Sequence, residues 1–278
     1  MALRAQLALA DNLVFSKVRE RLGGRLRLGV SGAAPLSVDV LEFFHSLNML
    51  VIEGYGLTET SSSLSVNDPD EYRFGTVGHA VEGCDVRLDT DGEILVRSDT
   101  IFSGYFKDPE ATAAAFTDDG WFRTGDVGEL DADDWLKITD RKKDLIITAG
   151  GKNITPANLE NDLKQTRYIS QAVMHGDRRP FPAMLITLDE EEIVPWAQAQ
   201  GVETTAMAEL SHHPEVVGLV QGELDRANAK YAPVEQVKRF FILDHDLSQE
   251  TGELTPTMKV KRNVINEKYA ERFDALYG

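Results

Sequence analysis

The chain has 278 residues, 42% of them apolar and 27% charged, the balance of a globular protein with room for one large or two ordinary domains. Its formal net charge of −17 works against nucleic acid or an anionic membrane as partner, but not against a nucleotide, which needs only a few local cations. A single cysteine, Cys84, excludes an internal disulfide; with no membrane-length apolar run and no compact signal core, the expected compartment is the cytoplasm.

Residues 2–21 carry Leu3, Leu7, Ala10, Val14 and Val18 at helical spacing, and Gly23-Gly24 ends the predicted helix. Leu26, Leu28 and Val30 alternate with polar or small residues in a short strand, and Ser31-Gly32-Ala33-Ala34-Pro35 then turns the chain. Ser37 is placed to cap a helix over about residues 38–47, and the apolar run Met49-Leu50-Val51-Ile52 reads as a strand buried on both faces. Strand, helix and strand in that order predict two parallel strands, with SGAAP and EGYGLTE leaving their carboxyl ends, where ligands of open α/β sheets sit.

From Gly75 to Asp140 the pattern changes to short β segments at 76–80, 85–88, 93–96, 121–122 and 135–138, with one helix at about 108–115. Beyond Arg141 an α+β pattern follows: strands at 144–148, 171–175, 183–188 and 237–243, a helix begun by Thr155-Pro156, further helices between 190 and 230, and a last helix from about 261. The expected fold is therefore α/β followed by α+β, with domains at 1–140 and 141–278 and the boundary in the polar run Asp140-Arg141-Lys142-Lys143-Asp144.

The chemistry concentrates in Glu53-Gly54-Tyr55-Gly56-Leu57-Thr58-Glu59-Thr60. Two glycines allow backbone to approach a ligand, and Tyr55, Thr58 and Glu59 offer an aromatic plate, a hydroxyl and a carboxylate for a planar base, a phosphate oxygen and a hard cation. Plainer readings compete at each point. Glu59 also suits the first turn of a helix, Asp126 a turn, Arg141 to Lys143 a solvated linker, and Lys259 an ordinary surface position beside Lys261 and Arg262. The acidic run at 131–134 lacks the glycine and the final carboxylate of a calcium loop, and His212-His213 has no partner cluster for zinc.

Taken in order, SGAAP, EGYGLTE, GEILVRSDTIFSGYFKDPEAT, WFRTGD, DRKKDLIITAGGKN and ELTPTMKVKR resemble the adenylate-forming superfamily, and most of all its long-chain fatty acid–CoA ligases. The resemblance implies the C-terminal part of a large adenylate-binding domain and a small mobile α+β domain. It also implies an enzyme that joins a fatty acid to ATP with Mg2+ and passes the acyl group to coenzyme A. Under it, Ala33, Ala34, Pro35 and Glu53, Gly54, Tyr55, Gly56, Leu57 and Thr58 line the adenine and α-phosphate site, and Glu59 holds Mg2+. Asp126 and Arg141 reach the ribose, Lys143 is the hinge, and Ala149, Gly150, Gly151 and Lys152 line the coenzyme A tunnel. Lys259 bridges the acyl carboxylate and α-phosphate, with Lys261 as the alternative.

The sequence departs from that family by lacking the Ser/Thr/Gly-rich phosphate loop ending in Pro-Lys-Gly. The expectation is a piece of a ligase with open strand edges and an apolar patch, self-associating or joined by a complementary N-terminal segment. A non-catalytic or split-enzyme adenylate-binding subunit, or a ligase for another carboxylic acid, is the alternative.

Overall fold

The computed structural model describes residue 6 and residues 9–278, and it divides into two compact units, Met1–Lys142 and Lys143–Gly278. The expected helix at 2–21 falls partly outside the described residues. Within them, Asp11–Phe15 is wound as a π-helix and Ser16–Arg21 is α1. Gly23 and Gly24, both at positive φ, donate to Glu20 and Arg19 carbonyls and end it.

The first unit contains two four-stranded sheets. In one, β1 (Leu28–Ser31) pairs in parallel with β2 (Leu50–Leu57) across α2 (Val38–Ser46), whose first turn is capped by Ser37 accepting from the Asp39 amide. β2 does not stop at Ile52. Its second half turns to β3 (Ser62–Val66), and β4 (His79–Ala80) follows on the far side. EGYGL is thus a strand, not a loop leaving one. The expected strand at 76–80 shrinks to its last two residues because Thr76 is tied into a turn, its amide donating to the Arg73 carbonyl.

The other sheet is an antiparallel meander of β5 (Cys84–Leu88), β6 (Glu93–Ser98), β7 (Phe122–Leu130) and β8 (Leu136–Arg141). Between β6 and β7 lies α3 (Pro109–Ala114), capped by Asp108 accepting from the Ala111 amide. Leu64, Val77, Ile94, Val96 and Leu136 form a buried cluster drawn from both sheets. Main-chain bonds between Val77 and Leu136 and between Leu136 and Gly78 fix them together.

In the second unit the expected strand at 144–148 is only β9 (Ile146–Ile147), paired with β10 (Asn153–Ile154), because Thr148 already starts the turn between them. α4 (Pro156–Lys164) follows, then a three-stranded sheet of β11 (Ile169–His175), β12 (Ala183–Leu188) and β13 (Arg239–Ile242). β12 is central, antiparallel to β11 and parallel to β13, and every residue of it is buried. Met184 and Ile186 face a core built with α4, α5 (Glu190–Ala199), α6 (Met207–Leu210) and α7 (Pro214–Asn228). Leu185 faces a second core with Leu254, Ile265 and Phe273, closed by α8 (Arg262–Lys268) and α9 (Ala270–Ala275). His213 caps α7 through its ring nitrogen, so the His212-His213 pair is a helix entry. No described helix is long and apolar enough to cross a membrane.

Candidate functional site

An open groove of about 520 Å³ runs along the end of β1 and the second half of β2, lined by Ser31 to Ala33, Gly54 to Thr58 and Ser61 to Ser63. Its floor is built by backbone geometry. Ala33 adopts a left-handed φ of 67°, and Ser61 and Ser62 also lie at positive φ. Gly56 sits at the irregularity between β2 and β3, where a Cβ would stand 1.6 Å from the Ser62 carbonyl oxygen. The glycine at this groove-lining position is therefore already required by the neighbouring strand.

Glu53 is buried and points inward. Its Oε1 accepts from the Leu36 amide at 3.0 Å, which fixes the turn after Ala33-Ala34-Pro35. Burial raises its pKa, with backbone bonds from Leu36 and Gly75 opposing. Thr58 is exposed at the groove, in the 3-10 turn Thr58–Thr60, while Thr60 is buried and closes that turn through its hydroxyl. Glu59 is half-buried; its Oε1 accepts from the Tyr105 hydroxyl at 3.1 Å, and no ion pair to it occurs among the described residues.

The tightest constellation joins residues far apart in sequence. The Tyr55 hydroxyl donates to Asp126 Oδ2 at 2.5 Å, and Arg141 Nε lies 3.4 Å from Asp126 Oδ1. Asp126 is 4% exposed, whereas Arg141 is exposed and extends toward solvent. Burial and then the Asp126 charge push the Tyr55 pKa up, so the phenol stays a neutral donor. Asp126 and Arg141 are partners in the β7–β8 ladder. They meet because Thr139 is an extra residue between the pairs Gly128–Ile138 and Val127–Asp140; an unbroken ladder would set Asp126 against Asp140.

β7 carries a second irregularity. Glu93 pairs with Val127 but Leu95 with Arg123, so Thr124-Gly125-Asp126 bulges from the β6 ladder. Side chains fill the gap: Thr124 Oγ1 donates to the Ile94 carbonyl and accepts from the Asp126 amide, and Glu93 Oε1 accepts from the Gly125 amide. Asp126 is a strand-bulge residue, not a simple turn residue. Sequence reasoning missed Glu93, Thr124 and Tyr105; the strand signal around Glu93 was visible, its side-chain direction was not. The one described cluster with metal-ligand spacing, Asp89, Asp91 and Glu93, has two of its three charges offset by Arg123 and Lys142, which bridge its carboxylates.

The remaining expected residues belong to the second unit. Lys143 is exposed at its start. Ala149-Gly150-Gly151-Lys152 forms the exposed turn between β9 and β10, with Gly151 at a φ of 73° and its amide donating to the Thr148 carbonyl. Lys259 is half-buried at the base of a hairpin: its amide donates to Thr255 Oγ1 and its carbonyl accepts from the Thr255 amide. Lys261 lies on the return arm of that hairpin, its amide donating to the Glu253 carbonyl, and precedes α8. Within the first unit, then, Tyr55, Asp126 and Arg141 meet, and Thr58 lines the groove.

Residues 2–106 match the AMP-binding enzyme family, and residues 143–278 match the AMP-binding enzyme C-terminal domain. The chain is 44% identical, over 279 residues, to the long-chain-fatty-acid–CoA ligase FadD15 of Mycobacterium tuberculosis, covering 100% of this chain and 46% of that protein. It is 37% identical over 293 residues to the long-chain-fatty-acid–CoA ligase ACSBG1 of Mus musculus, covering 97% and 41%. It spans about half the length, or somewhat less, of the curated relatives it matches. Among solved structures, the adenylation domain of a carboxylate reductase from Mycobacterium chelonae aligns with a TM-score of 0.75 and 27% identity, over 97% of this chain and 41% of that one. The o-succinylbenzoate coenzyme A synthetase of Bacillus subtilis, solved with ATP and a magnesium ion, aligns with a TM-score of 0.65 and 26% identity, over 85% and 46%. The chain belongs to the AMP-binding, adenylate-forming enzymes, together with the long-chain fatty-acid–CoA ligases of that family.

Proposed function

We propose that this chain supplies the adenylate-binding groove and the catalytic lysine of an ATP-dependent fatty-acid–CoA ligase working in the cytoplasm. The observation that carries the reading is the Tyr55–Asp126–Arg141 constellation in a unit that also holds the open groove. A buried carboxylate beside a guanidinium suits a ribose diol next to phosphates, and Tyr55 gives the base an aromatic face. In the reaction, a carboxylate oxygen of the fatty acid attacks the α-phosphorus of ATP. An acyl–oxygen–phosphorus bond forms, the bond to the β-phosphate oxygen breaks, and pyrophosphate leaves. The thiol sulfur of coenzyme A then attacks the acyl carbon, its proton passes to solvent, and AMP departs. Lys259 offsets the negative charge shared by carboxylate and α-phosphate.

Glu59 fits a magnesium site of the kind that keeps waters and phosphate oxygens as its other ligands, since one of its oxygens is oriented by Tyr105 and no described cation neutralises it. Bound there, the ion supplies charge neutralisation at the phosphates. Thr58 contacts the α-phosphate, Lys143 serves as the hinge, and the Ala149–Lys152 turn receives coenzyme A.

A second reading, an adenylate-binding piece that works with another copy or a complementary segment, draws on an open strand edge and exposed apolar side chains. β1 is a sheet edge, Val30 on it is 64% exposed, and Phe43 on α2 is 55% exposed. Equilibrium dialysis with AMP tests the main reading, beside AMP release from ATP, Mg2+, palmitate and coenzyme A. Bound AMP with a Kd below about 1 mM, retained by Lys259→Ala, is expected. No binding refutes it. Binding without turnover, with light scattering reporting a dimer or larger species, favours the second reading.

A further inference from the structure

Glu93 is a carboxylate only 3% exposed, and the chemistry described so far does not use it. Its Oε1 accepts from the Gly125 amide at 3.1 Å, and its Oε2 accepts from Arg123 Nη1 at 3.0 Å and Lys142 Nζ at 2.9 Å. Gly125 adjoins Asp126 at the crest of the bulge, with a φ of 72°, and Lys142 adjoins Arg141. One buried side chain therefore reaches the immediate neighbour of each member of the Asp126–Arg141 pair. The Lys142 amide also donates to the Gly125 carbonyl at 2.8 Å, so the two neighbours are linked directly as well.

We propose that Glu93 is a positioning residue for nucleotide binding, holding the Asp126–Arg141 pair in place for a ribose diol through Gly125 and Lys142. The proposal rests on the reading of Asp126 as the ribose acceptor. The bulge leaves the half-buried Gly125 amide out of the β6 ladder, and Glu93 Oε1 supplies the acceptor that the ladder does not. An acceptor in that place needs no charge for stability alone, and a buried charge is costly. Two cations hold this one, and each is shared with a further carboxylate, Arg123 with Asp89 and Lys142 with Asp91. Glu93→Gln keeps the volume, but its single amide oxygen cannot serve both sides. If it faces the cations, an NH2 opposes the Gly125 amide; if it faces Gly125, the NH2 opposes Arg123 and Lys142.

The test compares the affinities of the chain for AMP and for 2′,3′-dideoxy-AMP, which lacks both ribose hydroxyls, by equilibrium dialysis. The wild-type chain is expected to prefer AMP by about tenfold or more. Glu93→Gln is expected to lose about tenfold on AMP and less than about twofold on the dideoxy analogue, so the preference collapses. A purely structural staple would lower both affinities together or neither, and an unchanged preference in a folded Glu93→Gln overturns the proposal. Should Glu93→Gln fail to fold by circular dichroism, Lys142→Met, which cuts the Arg141 side of the same link, decides on the same ratio. A wild-type chain that binds AMP but does not discriminate the two ligands overturns Asp126 as ribose acceptor, and this proposal with it.

Discussion

Glu253 lies under the hairpin that presents Lys259 and has no solvent exposure. Its Oε1 accepts from Lys268 Nζ at 2.8 Å and from the Tyr269 hydroxyl; its Oε2 accepts from the Thr251 hydroxyl and the Ser248 amide. Burial opposes the charged form, but Lys268, Thr251, Tyr269 and Ser248 together outweigh it and bring the pKa down to about 2 from the usual 4.5. The gap between those values is worth about 3 kcal/mol to the folded, charged state. An independent route agrees: Glu253→Gln weakens two charge-assisted bonds and sets an NH2 against the Ser248 amide or the Lys268 ammonium, again about 3 kcal/mol. For a unit of this size that lowers the melting transition by roughly 10 °C. Because the folded pKa is depressed, the stabilisation is complete above the unfolded value and is lost as pH falls from about 4.5 toward about 2. Calorimetry at pH 7 and urea unfolding at pH 7 and pH 3 measure both effects. A shift under about 2 °C at pH 7, or a mutant deficit of the same size at both pH values, refutes the account.

Asp126→Asn is expected to weaken AMP binding about tenfold in dialysis, since the Tyr55 and Arg141 bonds lose their charged acceptor. Gly56→Ala drives a Cβ into the Ser62 carbonyl and should cost more than about 3 kcal/mol, while Gly125→Ala, with open space but a φ of 72°, should cost only about 1 kcal/mol; urea midpoints rank the two. His175 stacks on Phe273 and has a buried Nε2 with no hydrogen-bond partner, and burial lowers its pKa below 6.5. Its neutral form is favoured in the fold, so stability is expected to fall as pH drops through about 6.5, and His175→Gln to flatten that part of the urea-midpoint profile between pH 7.5 and pH 5.

The parallel β1–α2–β2 crossover was readable because each of its signals is local: a capping serine, an apolar helix face and an apolar run. The α+β order of the second unit was readable for the same reason, and in α7 Val216, Val220, Leu224 and Ala227 form the fully buried stripe at helical spacing. The site was legible as motifs but not as contacts. The Tyr55–Asp126 bond spans two sheets, and the Asp126–Arg141 pairing depends on one extra residue at Thr139, which shifts register without leaving a mark in composition. Glu53 read as ligand-facing because a polar residue in a motif invites it, and tertiary packing turns it toward Leu36; Gly56 does line the groove, and its lack of a Cβ is also demanded by the Ser62 carbonyl of β3.

The central place of β12 has a consequence for synthesis in the cell. Its hairpin partner β11 is made just before it, but β13, which covers its other edge, arrives only after α5, α6 and α7 have been translated. The face carrying Leu185 waits longer still, for Ile265 and Phe273 near the end of the chain. At about 5–20 residues per second, the roughly 85 residues from Leu188 to Phe273 leave that apolar strand uncovered on the ribosome for about 4–17 s. During that interval β12 is a natural target for a chaperone, and synonymous changes that slow translation after residue 188 should raise aggregation without altering the finished protein.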